Sequence, residues 1–159
     1  SSVDMSSVMT NPALGLNELV IDKTNTIFIG SRRNGVLVYN ENGNKKISLT
    51  TEENSGSLPD LNVRTLKTDA RNRLWIGTLK GLVVLYNASG VFDQTIVNTE
   101  PIIILDDGVP RKLLGDQPIN TISIDGADNK WFGTETGGAL LSYTSRTTDL
   151  LNFNKNKSP

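Results

Sequence analysis

The sequence predicts an all-β chain assembled from a repeated four-stranded antiparallel unit, and three observations predict it. First, residues 16–40 (LNELVIDKTNTIFIGSRRNGVLVYN), 63–87 (VRTLKTDARNRLWIGTLKGLVVLYN) and 119–143 (INTISIDGADNKWFGTETGGALLSY) repeat one another. Second, an Asp and a Gly stand eight residues apart in every copy: Asp22 and Gly30, Asp69 and Gly77, Asp125 and Gly133. An aromatic precedes that Gly by two positions (Phe28, Trp75, Trp131) and a Tyr closes the unit (Tyr39, Tyr86, Tyr143). Third, the apolar runs IFI, LWI, VLVY, LVVLY, TISI and PIIIL are short, rich in β-branched and aromatic types, and bounded by Asn, Asp and Gly, which is the composition of strands. The period is 47 and then 56 residues, which falls near propeller blades rather than helical hairpins.

Each unit reads in order as an inner strand, a turn at the Asp, a second strand, a Gly-containing loop, and a third strand ending at the Tyr. A fourth, outer strand is expected at residues 45–49 in the first unit and 91–97 in the second. Ser, Asn and Pro crowd residues 52–61, a loop between blades. The second spacer is nine residues longer than the first and contains PIIILDDGVPRKLL, residues 101–114, an additional hairpin turning at Asp107 and Gly108. Residues 150–159 read as an outer strand followed by another inter-blade loop. No segment sustains a helical period; the best candidate, residues 109–117, is short and starts beside a proline. The fold class is therefore all-β, a partial β-propeller of about three four-stranded antiparallel blades over residues 1–159. Propellers carry four to eight blades, so the open blade ends call for cover by the rest of a ring or by another copy of the chain.

Composition narrows the function. With 16 Lys and Arg against 17 Asp and Glu, the formal net charge is -1, which gives no field for a nucleic-acid backbone. No run of 18 apolar residues appears, and residues 1–10 lack the charged head and apolar stretch of a signal peptide,. There is no Cys and no His, so thiol nucleophiles, Cys or His zinc sites, and Ser-His-Asp triads are excluded within the chain. Asp106 and Asp107 are adjacent and point apart in an extended chain instead of converging on one bond. The expectation is a protein without catalytic residues, cofactor or metal.

The repeated residues have structural readings. Asp125, Asp128 and Asn129 place three oxygen-bearing side chains within five residues, yet calcium needs six to eight oxygens. Asp and Asn accepting backbone N–H groups in a tight turn explain them. Phe28, Trp75 and Trp131 share one register, as inter-blade core residues would, and Tyr39, Tyr86 and Tyr143 are expected beside them. Gly30, Gly77 and Gly133 are flanked by strands, not by a helix start, so they serve turns and close approach rather than phosphate binding.

The segment NVRTLKTDARNRLWIGTLKGL, residues 62–82, closely resembles the two-component regulator propeller repeat, typical of extracytoplasmic sensor regions of hybrid histidine kinases in the Bacteroidota. The third unit with its DDGVPRKLL hairpin is similar, more particularly, to propellers of the type IX secretion system and related surface propellers. Phe28 and Ser31 depart from that pattern, where Trp and Thr are usual. The resemblance spans residues 16–159 and implies a periplasmic or cell-surface location. It also implies one of two roles: a non-enzymatic scaffold or binding segment, or a sensor domain for a ligand such as a carbohydrate.

In a propeller the loops after the second strand open on the same face as the segments leading into the first. These loops read SRRN, TLK and TETG, varied charge on a repeated scaffold, where recognition usually resides. Arg32, Arg33, Lys80 and Glu135 are therefore the ligand-face candidates, joined by Asn17, Arg64 and Asn120 on the same face. The Asp turns lie on the opposite face. Three cations against one Glu in the loops favour an anionic partner, an acidic glycan or a carboxylate on a protein surface.

Overall fold

A computed structural model describes residues 15–135, 137–142 and 149–154. The first sheet contains β1 (Leu16–Ile21), β2 (Ile27–Ser31), β3 (Val36–Tyr39) and β4 (Lys46–Leu49), paired antiparallel in chain order. A two-residue strand, β5 (Ser55–Gly56), precedes the second sheet of β6 (Val63–Thr68), β7 (Leu74–Thr78) and β8 (Gly81–Leu85). A 3-10 helix (Ala88–Asp93) and β9 (Val97–Asn98) follow, then the hairpin of β10 (Ile103–Asp106) and β11 (Val109–Lys112). The third sheet contains β12 (Ile119–Ile124), β13 (Lys130–Thr134), β14 (Gly137–Ser142) and β15 (Asp149–Asn154). This is the all-β propeller architecture expected, with β6 packed on β1 and β2 on one side and on β12 on the other.

The period-two alternation of the strands builds two seams. Phe28, Val36 and Val38 of the first sheet meet Val63, Leu66, Leu74, Ile76, Val83 and Leu85 of the second. On the opposite face of those strands, Trp75, Leu82 and Val84 meet Ile119, Ile122 and Phe132 of the third. All of β7 and β8 is buried, which is why those strands read as continuous apolar runs: a sheet covered on both faces has no polar side. The Trp75 and Phe132 rings lie 5.6 Å apart, tilted by 34°.

The structure corrects three expectations. Residues 91–97 do not form an outer strand; Ala88 and Val91 enter the core on the 3-10 helix, whose carbonyls at Asn87 and Gly90 accept the Gln94 amide at 2.9 and 3.0 Å. The second sheet therefore has three strands, and β9 pairs in parallel with β5 inside the presumed loop. Trp131 is 40% exposed although Trp75 and Phe28 are fully buried, because it projects from the far face of the third sheet, where no further sheet follows among the described residues. Tyr86 is 43% exposed and Tyr39 only 9%; Tyr39 pairs with Lys46 of a fourth strand, whereas β8 is met on its outer edge by a single antiparallel bridge, Val84 to Glu100, and by no fourth strand among the described residues. Tyr143 lies outside the described residues.

The outer strand at Lys46–Leu49 and the terminal strand at Asp149–Asn154 form as expected. So does the added hairpin: Asp107 and Gly108 both have positive φ, 50° and 79°, the backbone that a two-residue hairpin turn demands. Its ends are pinned by buried Ile102 and Leu113, while Ile103 and Leu105 stand exposed on the ribbon.

Candidate functional site

The Asp turns are built alike three times. Asp22 Oδ1 accepts the N–H groups of Thr24 and Thr26, Asp69 Oδ1 those of Arg71 and Arg73, and Asp125 Oδ1 those of Ala127 and Asn129, all at 2.8 to 3.0 Å. The residue at the turn's corner, Asn25, Asn72 or Asp128, has φ of 61°, 58° and 66°, the left-handed region that Asn and Asp tolerate. Where the aromatic is Trp, its Nε1 donates to the second Asp oxygen: Trp75 to Asp69 at 2.9 Å and Trp131 to Asp125 at 3.2 Å. Burial would raise the Asp69 pKa, but bonds from Trp75 and Arg73 outweigh it and hold it below the usual carboxylate range. These carboxylates are occupied with holding the turn.

The opposite end of the strands carries the candidate face. Ser31, Thr78 and Thr134 close their loops by donating a hydroxyl to the carbonyls of Gly35, Gly81 and Gly137, each at 2.8 Å. The next residue then reaches back to the segment leading into its own first strand: Arg32 N–H donates to Gly15 at 2.8 Å, and Leu79 N–H to Asn62 at 3.0 Å. Loop and strand start are thereby fixed on one face.

The inner strands carry an irregularity that recurs in all three units. Pairing shifts between Leu16 and Glu18, between Val63 and Thr65, and between Ile119 and Thr121. The residues skipped by these bulges are Asn17, Arg64 and Asn120, and a bulge re-aims its side chain away from the regular pleat. All three line one open cavity of about 350 Å³, together with Arg32 and Asn62. Asn17 Nδ2 donates to the Val63 carbonyl of the next sheet at 2.8 Å, and Arg64 Nη1 donates to Asn120 Oδ1 at 2.6 Å. Glu135 stands at the rim, 4.0 Å from Arg64.

Four of the seven sequence candidates, Asn17, Arg32, Arg64 and Asn120, thus line one cavity, with Glu135 beside it. Arg33 is exposed outside its lining, and Lys80 lines a separate space of about 120 Å³ where it faces Asp60 at 3.7 Å. Asn62 was missed. Its counterparts before the other inner strands are Gly15 and Pro118, so no repeated polar position marked it. Among the described residues the cavity lining is guanidinium and carboxamide, with no aromatic side chain. It can donate several hydrogen bonds to an oxyanion but offers no ring for stacking a sugar face.

Residues 57–80 match the family described as two component regulator propeller. No curated protein matches the sequence significantly. Among solved structures, PorZ of Porphyromonas gingivalis, described as an essential bacterial surface component of the type-IX secretion system, is 21% identical with a TM-score of 0.73 over 94% of this chain and 23% of its own. The extracellular domain of the hybrid two component system BT3049 of B. thetaiotaomicron is 22% identical, with a TM-score of 0.60 over 90% of this chain and 17% of its own. That of BT4673 is 18% identical, with a TM-score of 0.59 over 89% and 17%. The chain spans under a quarter of the length of each of these proteins. Fold, repeat and family match agree: the chain folds as a stretch of β-propeller, and its residues 57–80 are similar to the two component regulator propeller repeat.

Proposed function

We propose that this stretch is a non-enzymatic binding and scaffold segment of an extracytoplasmic propeller protein, at the cell surface or in the periplasm, and that it holds an anionic group at the mouth formed by its bulged inner strands. The observation that carries the reading is the convergence of Asn17, Arg32, Asn62, Arg64 and Asn120 on one cavity. Guanidinium and carboxamide groups bind and orient an oxyanion, yet neither takes up nor releases a proton near neutral pH, so the chemistry supports binding without turnover. The partner is a glycan or protein bearing carboxylate or sulfate, and a further sheet of the ring, or of another copy, covers the face that carries Trp131.

The test is calorimetric titration of the intact protein with a glucuronate-containing disaccharide, its neutral glucose counterpart and an acidic peptide. Arg64→Ala and Arg32→Ala should each weaken anion binding about tenfold, as expected for charge-assisted hydrogen bonds of about 1.5 kcal/mol or more, while leaving the fold intact. Equal affinity for charged and neutral probes would remove the anionic reading. Likeness to the extracellular domains of BT3049 and BT4673 supports a second reading, in which the same site belongs to a ligand sensor. A kinase encoded beyond a membrane span in the same gene favours the sensor, and a secretion-associated domain favours the scaffold.

A further inference from the structure

We infer that Glu135 sets the charge preference of this site, as a built-in counter-anion on Arg64 that offsets part of its attraction for an incoming ligand; the inference rests on the anionic reading above. Glu135 follows Thr134 just as Arg32 follows Ser31. One register position therefore supplies a cation to the cavity lining from the first unit and an anion beside Arg64 from the third. Between them stands Arg64, presented by the bulge of β6. Its Nη1 makes two contacts of different kinds: a short one to Asn120 Oδ1 at 2.6 Å and a loose one to Glu135 Oε1 at 4.0 Å.

The short contact is to a neutral group and orients the guanidinium. The loose one is Coulombic, and its carboxylate side chain is 64% exposed against 33% for Arg64, so Glu135 can swing into water at small cost. Both contacts use Nη1, and the edge formed by Nε and Nη2 is one of the two along which a guanidinium makes a two-point contact with a planar oxyanion. A ligand can therefore dock on the fork while Asn120 keeps it in place.

With Glu135 present, the two guanidiniums are half neutralised, which favours a singly charged group. Without it, attraction rises in proportion to ligand charge, so the gain in affinity for a dianion is the square of the gain for a monoanion. Glu135→Gln should tighten binding of glucuronate about twofold and of inorganic sulfate about fourfold, the range of exposed ion pairs. Both gains should vanish at 1 M salt, where the Debye length is about 3 Å.

The experiment titrates the full chain, its Glu135→Gln variant and a Glu135→Lys variant with D-glucuronate and with inorganic sulfate. Asp106→Asn is the control: it removes the same charge from the exposed hairpin pair with Arg111. A rise in affinity confined to the Glu135 variants, larger for sulfate and larger for Lys than for Gln, supports the inference. Equal effects at Glu135 and Asp106, no change at Glu135, or an unaltered ratio of sulfate to glucuronate affinity overturns it while leaving the anionic site standing. A parent chain that binds neither anion overturns both.

Discussion

Asn72 donates its Nδ2 to Asp22 Oδ2 at 2.9 Å across the first seam, while its Oδ1 accepts the N–H of Lys23 at 3.0 Å. At the second seam Asp128 stands in the same place and accepts the N–H of Ala70 at 3.0 Å. A carboxylate cannot donate to the next carboxylate, Asp69. Lys130 resolves this: buried completely, it donates to Asp128 Oδ2 at 2.9 Å and stands 3.7 Å from Asp69 Oδ2, with its ammonium 5.5 Å from the centre of the Trp75 ring. Its counterparts in the other units are Ile27 and Leu74. The exchange of Asn and Leu for Asp and Lys is one compensated change.

Asn72→Asp should destabilise the chain by about 2–4 kcal/mol, since it sets two buried carboxylates face to face. Leu74→Lys alone should also destabilise, because its buried ammonium would have Asp22 near it but Asn72 where the second seam supplies a second carboxylate. Combined, the two copy the second seam, and a double-mutant cycle by denaturant unfolding should show favourable coupling above about 1 kcal/mol. Additive losses would mean that the seams are not interchangeable.

Trp75→Ala should cost about 3–5 kcal/mol, the usual range for removing a buried aromatic. Trp131→Ala, in the same repeat register but 40% exposed, should cost about 1 kcal/mol, most of it from the bond to Asp125,. Equal melting losses in the two variants would show that Trp131 is covered in solution.

Asp69 gives the chain an acid limb. Its folded pKa lies below the unfolded one, so it contributes stability above the ordinary carboxylate range, and that contribution is lost as pH falls through that range towards the folded value. Asp125 shifts in the same direction, through bonds from the Asn129 N–H, Trp131 and the Asn129 amide. Urea midpoints measured from pH 7 to pH 2 should fall more gently in Asp69→Asn than in the parent. Parallel curves would remove Asp69 as a source of acid sensitivity.

The blade motif was legible in the sequence because the turn is local: Asp69, Asn72 and Trp75 hold one another within seven residues, so their spacing records the geometry. Seam partners were not legible. Burial of Trp75 depends on Phe132, far along the chain, and the same register leaves Trp131 exposed where no sheet follows among the described residues. The 3-10 helix at Ala88–Asp93 was concealed by the expectation that each unit ends in a strand; Gly90 and Gln94 were its available signals. The cavity was legible in part, since Asn17, Arg64 and Asn120 share a register. Their convergence depends on a bulge that shows in pairing and not in composition.

Two of the glycines that stand two residues after the aromatics, Gly30 and Gly77, set how closely the sheets approach. A Cβ on Gly77 would lie 2.7 Å from Ile119 Cγ2 across the seam and 2.6 Å from Thr65 Cγ2 in its own sheet. At Gly30 the nearest atom would be Val63 Cγ1 at 2.9 Å, again across a seam, and at Gly126 nothing lies within 4 Å. Gly77→Ala must therefore push β12 outward or twist β6. Either movement should destabilise by about 1–3 kcal/mol, and the displacement should reach the cavity, because Asn120 follows Ile119 directly. Gly30→Ala should cost less, since one valine methyl has to move, and Gly126→Ala should stay within about 0.5 kcal/mol of the parent. Thermal unfolding of the three variants checks the order, and a Gly77→Ala chain as stable as Gly126→Ala would show that the seam has room that this packing denies.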